Sequence, residues 1–327
     1  MQSICFILNS QKKGIRNLYV RVGEVFSSGY KVTFKYTLAA GDAERLAREA
    51  AYDGCSVVVA VGGDGTVNEV ANGIASLPED VGQNVTIAVF PWGTGNDFAR
   101  SIGATPSLAR LKQLIDGGNS FLIDAAAVAY SSDGEMKKRY MFNVGDVGIG
   151  PHTVRVVERI KRIVGPTAAF WIGGFCSIFL RKAQRISIVA DGFRLEGRAK
   201  AVCMANGRFF GSGLGIAPTA SLCDGKLSLV IVGDVTPFTF LRFTGKLRRA
   251  EPVIHPKVQY ISTSSCYISS IDGGECLLEL DGEILGSSPV RLEMEMARVR
   301  FYVDTLQAKA SFAEQLCNSE IRVKELC

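Results

Sequence analysis

The sequence predicts an α/β domain followed by a mainly β domain. The first is a three-layer, parallel-sheet unit over residues 1–122, and the second a β-sandwich or open barrel over 123–302. Three observations predict this. Apolar runs alternate with amphipathic stretches through the first third of the chain, as in a parallel sheet with helices on both faces. From about residue 122, strand-like runs follow one another, broken by Asp-Gly pairs at 133–134, 191–192 and 281–282 that mark tight turns. The 327 residues are 47% hydrophobic and 21% charged, which supplies core for one large or two medium globular domains.

Taken in order, residues 3–9 form an apolar strand, and the Lys/Arg-bearing stretch 12–28 a helix. "YKVTFKYT" alternates with the period of a strand. In "DAERLAREAAYDG" Leu46 and Ala50 share a helical face, Asp42 stands where an N-cap is expected, and Gly54 ends the helix. A β-branched strand at 56–61 leads to the helix "TVNEVANGIAS", which is expected to start just after the glycines. A strand at 85–90 leads to a helix opened by "NDFARSIG". In the second half the strand-like runs are "FLIDAAAVAY", "RYMFNVGDVGI", "AQRISIVADG", "FRLEGRAKAVCMANG", "KLSLVIVGD", "KVQYISTSSCYIS", "ECLLELDGE" and "PVRLEMEMARVRFYV". Helical stretches interrupt them at 153–182 and near 236–249. The tail from 303, amphipathic over 305–327, predicts a helix that packs back on the first domain.

Composition removes several function classes. A net charge of +5, from 37 Lys+Arg and 32 Asp+Glu, is mildly basic. It favours anionic ligands or an anionic membrane surface and is too weak to argue for nucleic acid. No basic tract is interleaved with aromatics as in a single-strand binder. The nine cysteines are odd in number, lack a C-x-x-C, and lie partly inside apolar runs. They read as reduced core residues of a cytoplasmic protein. Two histidines, His152 and His255, give little material for a zinc site or a Ser-His-Asp triad. The N-terminal apolar core, Ile4 to Leu8, is too short for a signal peptide. Residues 163–180 carry no charge and just reach the lower limit for a membrane span. Gly165, Pro166, Gly173 and Gly174 interrupt them, so the expectation is a buried helix or one lining an apolar pocket. The flanking Arg155, Arg159, Lys161, Arg162, Arg181 and Lys182 would attract anionic lipid.

The chemistry concentrates in two turns. "VVVAVGGDGTVNEVANGI" (57–74) and "VFPWGTGNDFAR" (89–100) are apolar runs that each stop at glycines. In a parallel sheet, ligands bind beyond the carboxyl ends of the strands. Gly62, Gly63 and Gly65 let the main chain approach a bulky anion. The following helix offers unpaired N–H groups and the positive end of its dipole. Thr66 and Asn68 add neutral donors, and Gly93-Thr94-Gly95 repeats the device one strand over. Together they suit a polyphosphate. Asp64 and Asp97 beside phosphate need a further reason: a magnesium ion between them, a ribose, base or substrate hydroxyl, or service as helix or turn caps. The first option points to Mg-ATP. No G-x-x-x-x-G-K-[ST] occurs, so this is not the P-loop. "GIGPHTVR" and "GSGLGIAP" are not clean dinucleotide fingerprints and read as turns.

"GGDGTVNEVANGI" with "PWGTGNDFAR" resembles the diacylglycerol kinase catalytic domain, in the branch of soluble bacterial lipid kinases related to sphingosine kinase. "MFNVGDVGIG", "VCMANGRFFGSGLGIAPTASLCDGKLSLVIV" and "LELDGE" follow in that family's order, so the resemblance covers residues from about 3 to 300. It implies a nucleotide domain and a larger β-rich lipid-substrate domain. It also implies an ATP- and magnesium-dependent lipid kinase, first for diacylglycerol giving phosphatidic acid. A sphingosine-like or other lipid kinase, an NAD-kinase-like enzyme and a non-catalytic binding relative are the alternatives.

Residue by residue, Gly62, Gly63, Asp64, Gly65, Thr66, Val67 and Asn68 match the nucleotide loop. Thr94, with Gly95 and Asp97, matches a second phosphate contact; Thr37 and Asn9 match strand-end contacts. After Asn9 the family continues with Pro and Ser-Gly, whereas this chain reads "NSQKKG". Glu283 matches the family's proposed base, with Asp281 beside it, while the sphingosine branch often assigns Asp64. "ASLCDGKLS" matches a structural magnesium site, with Asp224 giving its carboxylate and Ser221 and Lys226 their carbonyls. Asp124 matches an aspartate linking that metal network to the site. The implied partner is lipid at a membrane surface, met transiently by a cytoplasmic protein, with homodimers frequent among relatives.

Overall fold

The computed structural model describes residues 1–10, 14–305 and 308. The expected C-terminal helix falls almost wholly outside them, as does the middle of "NSQKKG". Two compact units are present, Met1–Asp124 with Met296–Cys327, and Ala125–Glu295.

The first unit runs β1 (Gln2–Asn9), α1 (Ile15–Phe26), β2 (Tyr30–Thr37), α2 (Asp42–Tyr52), β3 (Val57–Gly62), α3 (Asp64–Ala75), α4 (Glu79–Gly82), β4 (Thr86–Pro91), α5 (Asp97–Ser101) and α6 (Leu108–Asp116). Its strands are parallel in the order β4-β3-β1-β2. The end of a long last strand adds to β4, with Arg300 opposite Thr86. Strand alternation decides the layers. Ile4, Phe6 and Leu8 of β1 and Val57, Val59 and Val61 of β3 join Leu18, Val22 and Phe26 of α1 and Leu108, Leu111 and Ile115 of α6. The opposite set, Cys5, Ile7, Val58 and Ala60, is equally buried, on the side of α2 and α3. Each fully buried Ile, Leu, Val or Phe contributes about 1.5–3 kcal/mol, most of it offset by the conformational entropy lost on folding.

Three local expectations change. Asp42 does not cap α2: Gly41 holds that place with φ 85. The Asp42 carboxylate is drawn back to the amides of Leu38 and Ala39, at 2.8 and 2.9 Å. Helix α3 begins on Asp64, inside the glycine run, because Gly63 is extended and its carbonyl already accepts from the Val67 N–H. Helix α6 was not expected. Its signals are plain in retrospect: Ser107 accepts from the Arg110 N–H, and Leu108, Leu111 and Ile115 share a face.

The second unit holds most of β5 (Ser120–Ser132), then β6 (Glu135–Met141), β7 (Val144–Gly148), α7 (Gly150–Val164), α8 (Pro166–Leu180), β8 (Gln184–Ala190), β9 (Phe193–Ala199), β10 (Ala201–Ala205), β11 (Phe209–Phe210), β12 (Leu214–Gly215), β13 (Leu227–Val232), α9 (Pro237–Arg248), β14 (Val258–Thr263), β15 (Ser265–Ser270), β16 (Leu277–Leu280) and the start of β17 (Glu283–Tyr302). Antiparallel pairing runs β14-β13-β10-β7-β16-β17, with β15, β8 and β9 continuing from β17 and β5 paired to β6. This is the expected mainly β architecture.

Several single runs of sequence divide into two elements, each for a local reason. "RYMFNVGDVGI" breaks after Met141, where the amides of Phe142 and Asn143 turn to Asp281. "KVQYISTSSCYIS" breaks at Ser264, whose N–H and Oγ donate to Asp191. "FRLEGRAKAVCMANG" breaks at Lys200, whose Nζ donates to the Ile178 carbonyl. The stretch 153–182 becomes α7 and α8, divided at Gly165 (φ 80) and Pro166. No helix among the described residues is long and apolar enough to cross a membrane. Asp133-Gly134 and Asp281-Gly282 both have two positive φ angles, the geometry that suits a right-twisted hairpin.

Candidate active site

Parallel pairing brings the carboxyl ends of four strands to one edge of the first unit. Asn9 is opposite Thr37, and Gly62 opposite Pro91. Beyond that edge the two glycine turns touch. A Cβ built on Gly93 would fall 2.3 Å from the Gly63 Cα, and one on Gly62 would fall 2.3 Å from Thr66 Oγ1. The Trp92 N–H donates to the Gly62 carbonyl at 2.8 Å, extending the β3–β4 ladder into the turns. Asn96, in the left-handed region at φ 50, closes the second turn. Its Oδ1 accepts from the Gly93 N–H at 3.0 Å and its Nδ2 donates to the Gly93 carbonyl at 2.9 Å. Asparagine tolerates this conformation better than most residues. The first turn of α3 presents N–H groups that no preceding turn can satisfy.

Side chains divide sharply around these turns. Thr66, Val67 and Asn68 are buried, and Asn68 Oδ1 accepts from Asn72 Nδ2 at 3.2 Å. The Val67 N–H is taken by the Gly63 carbonyl at 3.1 Å inside α3. Gly65 is half-buried and Thr94 exposed. Thr37 is buried, and its carbonyl accepts from Ser10 Oγ.

Asp64 joins the two turns. Its Oδ1 accepts from the Phe98 N–H at 3.0 Å, in the first turn of α5. Burial pushes the carboxyl above the usual carboxylate range, against the pull of the Phe98 and Asp97 amides. Asp97 is itself buried. Asp64→Ala therefore leaves a buried donor unmade, costing about 1–3 kcal/mol. Thermal melting should fall accordingly, and Asp64→Asn, which keeps an acceptor oxygen, should recover most of the loss.

In the second unit, the Asp281-Gly282 turn presents Glu283 at the start of β17. Asp281 spends both carboxylate oxygens on main chain. Oδ1 accepts from the Asn143 and Val144 N–H groups, both at 3.0 Å, and Oδ2 from Phe142 at 3.1 Å. Glu283 pairs with Arg139 of β6 at 3.3 Å and is partly exposed. Glu279, two residues before Asp281, accepts from the Gly282 N–H and is buried.

The expected metal residues lie on the loop before β13 and in β5. Asp224 is exposed, and its Oδ1 accepts from the Lys226 N–H at 3.0 Å across Gly225. Ser221 is buried, with Oγ 3.8 Å from Cys223 Sγ. No group of three or more His, Cys, Asp or Glu side chains gathers around one point among the described residues. A single carboxylate with neighbouring carbonyls still fits a hard cation that keeps several waters. Asp124 is buried in β5 and accepts from the Ala297 N–H at 2.7 Å, holding Ala297 in its left-handed conformation at φ 53.

Comparison with known proteins places these parts. Residues 3–128 match the diacylglycerol kinase catalytic domain, and residues 143–303 match the YegS C-terminal NAD kinase beta sandwich-like domain. A "Probable lipid kinase YegS-like" protein of Enterobacter sp. (strain 638) is 31% identical over 291 residues, spanning 88% of this chain and 91% of the relative. The chain belongs to the diacylglycerol kinase-like family of lipid kinases. A diacylglycerol kinase of Staphylococcus aureus is 29% identical, over 90% of this chain and 87% of its own. The crystal structure of a diacylglycerol kinase from Bacillus anthracis str. Sterne has the same fold, with a TM-score of 0.70 at 20% identity, covering 93% of this chain and 97% of its own.

In this lipid-kinase fold the nucleotide residues named from sequence gather at one sheet edge, and the Asp-Gly-Glu residues on one turn. Three residues of these turns escaped the sequence reading. Asn96 had a signal, an asparagine closing a glycine turn before a helix. Glu279 and Arg139 had none, since each looks like an ordinary strand residue until its neighbours are known.

Proposed function

We propose that this chain transfers the γ-phosphoryl group of ATP to a lipid hydroxyl, with diacylglycerol as substrate and phosphatidic acid as product. The observation that carries the reading is the contact of Gly93 with Gly63, which merges two glycine turns into one amide-lined cup. Such cups suit phosphate oxygens. Gly62, Gly63, Gly65, Thr66, Thr94 and Gly95 would hold the phosphates, with Val67 and Asn68 fixing the first turn of α3 behind them, and Asn9, Thr37 and Asp97 the rest of the nucleotide. Magnesium, when bound, neutralises charge on the transferring group, and Asp64, within the first glycine turn, is the carboxylate that would hold it.

On the acceptor side, Glu283 takes the proton of the lipid hydroxyl. Asp281 is committed to three amides and sets the turn. Asp64 is committed to α5. Glu283, partly exposed and ion-paired with Arg139, is the carboxylate assigned as the general base.

The reaction takes place at a membrane surface. Ile163 and Val164, at the turn of the α7–α8 hairpin, are 82% and 43% exposed, next to the exposed Arg159 and Arg162. An apolar tip flanked by cations suits an anionic bilayer face.

Incubation with labelled ATP, magnesium and dispersed lipids, with NAD in the panel, tests the reading. Label is expected in phosphatidic acid. Label on sphingosine alone would replace the substrate, and label on NAD or on nothing would overturn the lipid kinase. Asp224→Ala should abolish stabilisation by magnesium, lowering the melting temperature by about 2–4 °C in its presence. A wild-type chain that melts alike with and without magnesium would remove the ion from this loop.

A further inference from the structure

A row of three ionisable side chains crosses the second unit below the Asp-Gly-Glu turn. Cys203 of β10 is opposite Asp146 of β7, and Asp146 is opposite Glu279 of β16. Directly opposed residues of antiparallel strands share a face, with Cβ atoms about 4.5–5.5 Å apart. Asp146 and Glu279 are 4% and 8% exposed. Asp146 Oδ1 accepts from Cys203 Sγ at 3.6 Å, and Oδ2 from the Gly150 N–H at 2.5 Å, at the start of α7. A side chain on Gly150 would collide with that carboxyl, its Cβ falling 2.4 Å from Oδ2. Glu279 accepts from the Gly282 N–H.

We propose that Asp146 and Glu279 form a carboxyl pair that shares one proton and, through the Gly282 amide, positions Glu283 for phosphoryl transfer. This rests on Glu283 being the base. Two carboxyls opposed in register on adjacent strands and shielded from water cannot both ionise cheaply. Burial lifts Asp146 to about 7 and Glu279 well above the usual range, and the Asp146 charge lifts Glu279 further. The two titrate as a unit. Among the described residues, no cation acts on either carboxyl. Cys203 is held protonated by burial and by Asp146, and Tyr260 of β14 accepts from the Val253 N–H at 3.0 Å. Asp281 and Glu283 add negative charge. From α7 comes the Gly150 N–H, while that helix's Arg155, Glu158 and Arg159 are exposed. When the shared proton leaves to solvent, two adjacent negative charges repel. Glu279 draws away from Gly282, and the turn that carries Glu283 loosens.

The sign follows from linkage. Both carboxyls hold protons more tightly folded than unfolded, so their protonated pair stabilises fully below the unfolded carboxylate range. That contribution is lost as pH rises through about 7 and above. Glu279 and Asp146 are positioning residues, and the pH profile separates this role from simple packing.

The test measures two quantities from about pH 6 to 10 in wild type, Glu279→Gln and Asp146→Asn. One is turnover at saturating ATP and lipid, each profile normalised to its own maximum. The other is the protection of the Gly282 amide against hydrogen exchange without substrates. Wild type should show an alkaline limb approaching about one decade per pH unit, with Gly282 protection falling in parallel. Glu279→Gln keeps an acceptor for Gly282 and cannot become charged, so both changes should disappear or move upward by at least about one pH unit. Asp146→Asn removes the same repulsion and serves if Glu279→Gln fails to fold. Wild-type and variant profiles of the same shape, or Gly282 protection that ignores pH in wild type, would overturn the pair. If no lipid is phosphorylated at all, the kinase reading fails by itself, and the exchange measurement still decides for or against the pair.

Discussion

Glu283→Gln lowers turnover by about 10²–10⁴-fold while the chain still folds and melts within a few degrees of wild type. The two halves of that expectation have separate causes. The Glu283–Arg139 pair, at 3.3 Å, is 35% and 19% exposed. A partly exposed pair of this kind contributes about 0–1 kcal/mol, and glutamine can still accept from Arg139. Stability therefore barely changes. Phosphoryl transfer to an alcohol needs a group that orients the hydroxyl and accepts its proton, and an amide cannot do the second. The Michaelis constant for ATP should be unaffected, since Glu283 is assigned to the acceptor. Turnover within a few fold of wild type in this variant would remove Glu283 as base and return the role to Asp64.

The sequence carried the fold wherever a single periodicity ruled. Strand β1 is an unbroken apolar run because Ile4, Phe6 and Leu8 meet one helical layer and Cys5 and Ile7 the other, and a strand buried on both faces shows as such a run in one dimension. The glycine turns were equally legible, because positions where main chain touches main chain admit little except glycine. What was hidden depended on partners distant in the chain. The break between β6 and β7 exists because Asp281, 138 residues from Asn143, takes the amides there. The run "RYMFNVGDVGI" has no local reason to stop. Asp42 looked like a cap because composition says that an acid begins a helix. Only the positions of the Leu38 and Ala39 amides say which way it turns. Asp146 and Glu279 show the same limit in the site. Each is one acid inside an apolar strand, and their meaning lies in the register that sets them face to face.

Gly93→Ala is expected to weaken ATP binding by at least about tenfold, or 1.4 kcal/mol, a loss larger than any change in the melt would suggest. The added methyl would sit 2.3 Å from the Gly63 Cα, 3.0 Å from its nitrogen and 2.7 Å from Asn96 Oδ1. Two of those three are backbone atoms, so no side-chain rotation relieves the clash. Gly93 cannot simply slide away, because Asn96 grips both its N–H and its carbonyl. The adjacent Trp92 N–H is fixed to Gly62 at 2.8 Å. Relief must come from parting the two turns, at an overpacking cost of about 1–3 kcal/mol, and parted turns no longer aim their amides at one point. Gly23→Ala in α1 is the matched control. Its Cβ meets nothing within 4 Å, so the same methyl there should stabilise the helix by about 1 kcal/mol and leave ATP binding alone. Calorimetric titration of both variants with ATP decides the matter. Equal affinity in Gly93→Ala and Gly23→Ala would mean that the joined turns are a structural corner and that the nucleotide binds elsewhere.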